Sequence, residues 1–186
     1  MAINRTPVLK RCRQLGLDPV VLGYSSSKTS KREPKREKQK VKFIYGVLEK
    51  QFHGYFEKAK AMPGITGENL MRILESRLDS VIFRLGFART RKEARQIVTH
   101  GHIMVNGRRV DVPSYRVKAG DVVSVAPKSK ELLVIKSALV SNARFEVPAW
   151  LEVDIEKLQG NVLALPQRDQ IDLDINEQLI VELYSK

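Results

Sequence analysis

The chain has 186 residues, of which 42% are hydrophobic, enough to build a real core in one or two domains. Its 33 Lys and Arg outnumber 21 Asp and Glu, and the net charge of +12 favours a polyanion as partner. One cysteine, Cys12, excludes an internal disulfide and a cysteine-rich zinc site, and the apolar runs are too short for a signal peptide or a membrane span. Aromatic residues make up only 6%, which argues against a membrane-surface protein, so we expect a cytosolic one.

The charge is unevenly distributed along the chain. Residues 1–60 carry 15 basic and 5 acidic side chains, residues 61–127 carry 11 and 6, and residues 128–186 carry 7 and 10. We therefore expect the first two-thirds to face the polyanion and the last third to face protein or solvent.

Residues 1–33 form a basic arm. Its low hydrophobicity and high charge predict that it is poorly ordered in the free protein and becomes ordered on a polyanion. Residues 20–22 are expected to dock it at one point. The cations of the arm are Arg5, Lys10, Arg11, Arg13, Lys28, Lys31 and Arg32.

A basic helix follows the arm. Pro34 suits the first helical position, and the apolar face from Val41 to Ala59 predicts one helix that ends at Pro63. Positive charge at a helix N-terminus opposes the macrodipole but suits a phosphate, which also meets backbone N–H groups there. The cations in its opening turns are Lys35, Arg36, Lys38, Lys40 and Lys42.

Two further helices are predicted between residues 70 and 101. Apolar residues spaced by three and four from Leu70 to Leu85 predict the first, which stops at Gly86. Thr90 and Glu93 predict a capping box at the start of the second, which closes at Gly101.

A small antiparallel sheet should follow these helices. Asn106 and Gly107 between β-branched runs predict a type I′ hairpin, and a turn at residues 118–121 leads to a third strand at residues 122–125. Beyond the sheet, residues 128–140 predict a helix capped by Ser129, and residues 148–154 and 161–166 short extended segments. Residues 174–186 predict a last helix capped by Asn176.

Cations of the second helix are hard to explain by stability. Arg91 and Lys92 lie in its first turn, and Arg95 continues along what we expect to be the same exposed face. We therefore expect these three side chains to bind phosphate and not to hold the fold. Arg108, Arg109, Tyr115 and Arg116 add donors and a stacking surface nearby.

These residues resemble the RNA-binding module named after ribosomal protein S-four. The resembling stretches are residues 76–79 (SRLD), 84–88 (RLGFA), 90–96 (TRKEARQ), 100–107 (HGHIMVNG) and 113–115 (PSY). The module also occurs in tRNA synthetases and RNA-modifying enzymes, so by itself it implies RNA binding only.

The flanks extend the resemblance to the ribosomal S-four family itself, of the bacterial or plastid type without the zinc-binding cysteine cluster. Residues 36–41 (REKQKV), 44–49 (IYGVLE), 148–154 (PAWLEVD) and 174–186 carry it. It implies an α+β fold with a helical N-terminal region at residues 1–76, comprising the arm and helices over 34–76. An RNA-binding domain of two helices packed on a small antiparallel sheet spans residues 77–140. A C-terminal segment, residues 141–186, is expected to pack back on the first region.

The family resemblance implies direct binding of 16S rRNA, early in assembly of the 30S subunit, at a multi-helix junction of the 5′ domain. It also implies contact with ribosomal protein S-five, neighbours near the mRNA entrance, a contribution to translational accuracy, and a location in the cytoplasm or the plastid stroma. Family positions expected to contact RNA are Arg36, Lys38, Lys40, Thr90, Arg91, Arg95, Asn106 and Tyr115. Charge and position add Lys92, Arg108, Arg109 and Arg116.

The main enzymatic alternative is an RNA pseudouridine synthase, because such enzymes carry this module and place a catalytic aspartate in a context like residues 77–79. Here that tripeptide lies inside a predicted helix with no separate catalytic domain after it, so we expect Asp79 to form an ion pair on the helix surface. His53, His100 and His102 lack the acidic or thiol companions of a metal site, and no phosphate loop is present. We expect no catalytic residue, no metal and no cofactor.

A third alternative is an RNA-binding regulator or chaperone outside the ribosome. Such a protein would need only the RNA-binding module, and the matching flanks would have no purpose. Sedimentation with ribosomal subunits after a high-salt wash would distinguish the two.

Overall fold

Helices build the first of two units in the computed structural model, which describes residues 7–17, 22, 37–142 and 146–185. This unit takes the described residues up to Leu70 together with those from Asp172 onward, and the second unit takes residues 71–171. The helices of the first unit are α1 (Val8–Leu15), α2 (Glu37–Tyr45), α3 (Glu49–Ala61), the start of α4 (Thr66–Glu75) and α8 (Glu177–Ser185).

The single basic helix predicted after Pro34 is two helices, α2 and α3. Gly46 adopts φ 61°, and the Val47 N–H donates to the Lys42 carbonyl at 2.9 Å, which closes α2 with a left-handed cap. Both helices bury apolar residues of the face predicted for the single helix. The apolar spacing therefore continues across the break and does not reveal it. Fully buried examples are Val41, Ile44, Phe52, Phe56 and Ala59.

The expectation of a poorly ordered arm is wrong for residues 7–17, which contain helix α1. Its inward face buries Cys12, Leu15 and the following Leu17, and Arg11 donates to Gln39 of α2 at 3.3 Å. Three apolar side chains on one face were enough to order this segment despite its charge. Leu22 is also buried, whereas the other residues of the arm lie outside the described ranges.

The predicted C-terminal helix is confirmed as α8, which begins directly after Asn176. Ile180 is fully buried, and the Tyr184 ring stacks on Phe56 with centroids 4.6 Å apart. Residues from the end of the sequence therefore complete the apolar interior of the first unit.

The second unit contains a five-stranded antiparallel sheet, of which the sequence predicted three strands. The strands are β1 (Ile103–Val105), β2 (Arg108–Arg109), β3 (Val122–Val125), β4 (Leu151–Asp154) and β5 (Gln159–Val162), in the order β2-β1-β3-β5-β4. Ile103 pairs with Val125 and Val105 with Val123, so the apolar residues of both strands point to one buried face. Helices α5 (Leu78–Arg84) and α6 (Arg91–Thr99) share one apolar core with that face.

The predicted helix from Leu70 to Leu85 is also broken. Arg77 is extended, with φ −69° and ψ 142°, and bridges Arg116, while the Leu78 N–H donates to the Tyr115 carbonyl at 2.8 Å. This backbone pairing with a distant segment ends α4 at Glu75 and starts α5 anew.

The predicted hairpin and turns are confirmed. Asn106 and Gly107 have φ of 50° and 76°, as a type I′ turn requires. The capping box is only half formed, because the Thr90 hydroxyl accepts from the Glu93 N–H at 3.2 Å, but the Glu93 carboxylate accepts from the Arg89 N–H.

The helix after the sheet starts later than predicted. Residues 127–129 form a single 3₁₀ turn, Leu132 is extended, and α7 spans Leu133–Ser141. Ser129 does not cap it and instead lies 2.8 Å from Nδ1 of His102. Within the described ranges, none of the helices has the length and apolar character needed to cross a membrane.

Candidate nucleic-acid interface

Asp79 stands at the centre of a buried cluster in the first turn of α5. Its carboxylate is 1% exposed and accepts from Nε and Nη2 of Arg77 at 3.0 and 2.6 Å. Nε and Nη2 of Arg95 donate to the same carboxylate at 3.0 and 2.7 Å. Asp79 therefore does form ion pairs, but inside the protein and not on the helix surface as expected.

Glu75, at the end of α4, organises a second cluster. Arg84 donates to both of its oxygens at 3.1 and 2.9 Å, and Nη2 of Arg91 donates at 3.2 Å. Glu75 is 1% exposed and Arg91 6%, and the Arg91 guanidinium also lies over the Phe83 ring, 4.5 Å from its centroid.

The expectation that Arg91, Lys92 and Arg95 share one exposed face is therefore wrong for two of them. Arg91 is buried and Arg95 is partly buried, because each meets a carboxylate 16 residues earlier in the chain. Lys92 alone is exposed. Sequence position in α6 could not reveal this, since the partners come from other helices.

Several predicted residues do lie on the surface of the second unit. Tyr115 is 37% exposed, and Arg108, Arg109 and Arg116 are exposed as well. Backbone pairing of residues 115 and 116 with residues 77 and 78 brings this segment beside the Asp79 cluster. The structure thus connects Tyr115 and Arg116 to Arg95 through Arg77 and Asp79.

Other predicted residues have structural contacts. The Asn106 amide donates to Asp121 and its oxygen accepts from the Val122 N–H, both at 2.9 Å. Thr90 caps α6, and Arg109 donates to the His100 carbonyl at 3.2 Å. These three side chains hold turns and helix ends, whatever else they bind.

Predicted cations of the first unit are held by glutamates. Lys40 is buried against Glu37 at 2.8 Å, and Lys38 lies 2.9 Å from Glu49 and over the ring of Tyr184. Arg36, the remaining predicted residue here, lies outside the described ranges.

The Glu49 carboxylate accepts hydrogen bonds from three donors: Lys38, Lys42 at 2.5 Å and the Tyr184 hydroxyl at 2.7 Å. Burial raises the pKa of Glu49, but the hydrogen bonds from Lys42, Tyr184 and Lys38 outweigh it and lower the pKa from 4.5 to about 2. Burial, together with the hydrogen bond to Glu49, raises the pKa of Tyr184. The carboxylate therefore stays charged and ties α8 to α2 and α3.

The histidines show no sign of metal chemistry. Burial, with His100 and Arg109 nearby, lowers the pKa of His102, whose ring contacts Ser129. In the part of the chain that the structure describes, no group of three or more His, Cys, Asp and Glu side chains is arranged to hold a metal ion.

Sequence reasoning missed Glu75, Arg77 and Arg84 as parts of the site. All three lie within the helix predicted from Leu70 to Leu85, off its apolar spacing. The one available signal was the number of charges between Arg72 and Arg84, which is high for a segment with so many apolar residues.

Two family models match adjacent parts of the chain. Residues 76–123 match the model described as the S4 domain, and residues 19–75 match the model described as the ribosomal protein S4/S9 N-terminal domain. The two matches meet between Glu75 and Ser76, where α4 ends. Together they define a class of proteins that join a ribosomal N-terminal domain to an S4 RNA-binding domain.

Proteins of similar sequence identify the family within this class. Small ribosomal subunit protein uS4 of Lachnospira eligens is 57% identical over 199 aligned residues, covering 100% of both chains. That of Fusobacterium nucleatum subsp. nucleatum is 51% identical over 198, again covering 100% of both. That of Thermodesulfovibrio yellowstonii is 54% identical over 151, covering 81% of this chain and 73% of the relative. The chain belongs to the bacterial-type uS4 family, whose members are structural constituents of the small ribosomal subunit and not enzymes.

Proposed function

We propose that this protein binds 16S rRNA directly and early in small-subunit assembly, at a multi-helix junction of the 5′ domain. The observation that supports this most is the exposed set of Lys92, Arg108, Arg109, Tyr115 and Arg116, all within the S4-domain match. Cations of this kind read phosphates and the shape of RNA helices, and Tyr115 offers a ring on which an unstacked base can lie.

A second part of the proposal concerns protein partners. We propose contact with ribosomal protein S-five and other proteins near the mRNA entrance, with an effect on translational accuracy and a location on bacterial cytoplasmic ribosomes. Residues 128–186 carry more acidic than basic side chains, which supports a protein partner there. Leu179 and Leu183 of α8 support it as well, because these apolar side chains are 51% and 53% exposed.

RNA binding is tested with a 16S 5′-domain fragment at several salt concentrations. Replacing Lys92, Arg108 and Arg116 together by Gln should weaken binding and flatten the slope of log affinity against log salt by roughly 0.7–0.9 per lost phosphate contact. Lys157→Gln is the matched control, since Lys157 is exposed and pairs with Asp154 outside the S4-domain match. An unchanged slope in the triple variant would contradict the proposed surface.

A further inference from the structure

Three basic side chains meet at the C-terminal end of α6. His100 and His102 flank Gly101, and their ring centroids lie 6.0 Å apart in an edge-to-face arrangement. Arg109 of β2 reaches the same place, because its Nη2 donates to the His100 carbonyl at 3.2 Å. The end of α6 and strand β2 therefore bring two imidazoles and one guanidinium together.

The Arg109 guanidinium is packed against the backbone of Gly101. Gly101 has φ 72°, and a Cβ at this position would lie 2.0 Å from Nε and 2.1 Å from Nη2 of Arg109. A side chain at position 101 would therefore displace the guanidinium. A cation that backbone contacts already hold in place loses less conformational freedom on binding an anion than a mobile side chain does.

Ser129 holds the ring of His102. The Ala126 N–H donates to the His102 carbonyl at 2.8 Å, which brings residues 127–129 beside this histidine, and Oγ of Ser129 lies 2.8 Å from Nδ1. The hydroxyl donates to a neutral Nδ1 and accepts from a protonated one, so the contact persists when the ring gains a proton. In both states Nε2 carries an N–H, which can donate to a phosphate oxygen.

The charges around these groups are positive. Among the residues that the structure describes, no carboxylate forms an ion pair with His100, His102 or Arg109. Burial, followed by the nearby His100 and Arg109, lowers the pKa of His102. Lys128 and Lys130, in and after the adjacent turn, add further positive charge. An anion at this place would relieve the repulsion and favour the protonated ring.

We propose that His100, His102 and Arg109 form a second phosphate-binding patch for RNA. It lies at the opposite end of α6 from Lys92, about 12 Å away along the helix axis. A phosphate there meets the guanidinium and the ring N–H groups together, and its charge favours protonation of the imidazoles. This inference rests on the proposed function and adds the two histidines to it.

The pH dependence of RNA binding tests the patch. An ordinary histidine pKa is about 6.5, so RNA that binds the protonated rings better should bind roughly three- to tenfold tighter near pH 6 than near pH 8. The double variant His100→Gln/His102→Asn removes both titrating rings and leaves an amide in place of Nδ1 beside Ser129. It should bind the 16S 5′-domain fragment about as well as the wild type near pH 8 and lose most of the gain near pH 6.

His53→Gln is the matched control. The sequence has three histidines, and His53 lies on α3 in the first unit, so this variant should keep the full pH dependence. Titration of the RNA itself is common to all the proteins and cancels in the comparison. Proton NMR of the imidazoles gives a second measurement, in which the titration midpoint of His102 should move to higher pH in the complex.

The outcomes are distinguishable. A wild-type protein that does not bind the fragment contradicts the proposed function. If it binds, a double variant with the pH profile of the wild type overturns the patch alone. Equal weakening at both pH values also overturns it, because that result indicates a structural role. If the double variant does not fold, the same comparison with His100→Gln decides, since His100 is exposed.

Discussion

Neighbouring cations in one helical turn can have opposite roles, as Arg91 and Lys92 show. Arg91 is 6% exposed and joins Glu75 to the Phe83 ring, while Lys92 is exposed beside it. The two side chains carry the same charge at nearly the same place in α6. Only the partners contributed by α4 and α5 decide which one the fold needs.

Arg91→Ala should therefore lower the free energy of unfolding by about 2–4 kcal/mol, the sum of a charged hydrogen bond and a cation–π contact. Lys92→Ala should change it by roughly 0.5 kcal/mol or less, with a slight gain because a charge opposing the helix dipole is removed. Urea denaturation of both variants provides the test. Equal effects of the two substitutions would mean that Arg91 is not held as described.

At the scale of elements, Asn106 shows how one side chain closes a hairpin. It adopts φ 50°, and it bonds both Asp121 and the Val122 N–H, so it ties the β1–β2 turn to the start of β3. Asn106→Ala should cost about 2–3 kcal/mol of stability, from two lost hydrogen bonds and left-handed strain. Asn106→Gly is the control that relieves the strain only, and it should be less destabilising. Thermal melts of the two variants that coincide would contradict this account.

The attachment of α8 should depend on pH through Glu49. Its folded pKa of about 2 lies below 4.5, so its stabilising contribution is present above pH 4.5 and is lost as the pH falls towards 2. We expect the difference in urea midpoint between the wild type and Glu49→Gln to shrink over this window. Glu57→Gln, which changes an exposed carboxylate of the same helix, serves as control. A difference that stays constant from pH 5 to pH 2 would show that Glu49 does not carry this dependence.

Local signals in the sequence were sufficient where the contacts are local. The hairpin at Asn106, the end of α6 and the start of α8 were all predicted correctly. Periodicity failed at Gly46 and Arg77, because the apolar spacing continues across both breaks. It also could not show that β5 pairs with β3, since no sequence pattern specifies a partner so far along the chain.

The candidate site was predicted in outline only. Exposed Lys92, Arg108, Arg109, Tyr115 and Arg116 lie on the surface as expected. The burial of Arg91 and Arg95 could not be predicted, because Glu75 and Asp79 approach them from 16 residues away. Whether any of these side chains contacts RNA stays a prediction.

For the whole molecule, stability is expected to come from its apolar interiors and ion pairs and not from a metal. Cys12 is the one thiol in the sequence, and it is buried on the inward face of α1. A chelator should therefore leave the melting temperature unchanged, because no binding energy of a metal contributes to folding. Elemental analysis of the purified protein is the direct check, and stoichiometric zinc would contradict the prediction.

The strand order also determines how the protein forms during its own synthesis. β3 is translated well before β5, its neighbour in the sheet, and α7 is made in between. Until β5 arrives, β3 presents an unpaired edge on the nascent chain, and such edges recruit strands from other chains. We therefore expect chains truncated between residues 125 and 159, which lack β5, to aggregate more readily than the full-length protein, and light scattering of both at equal concentration checks this.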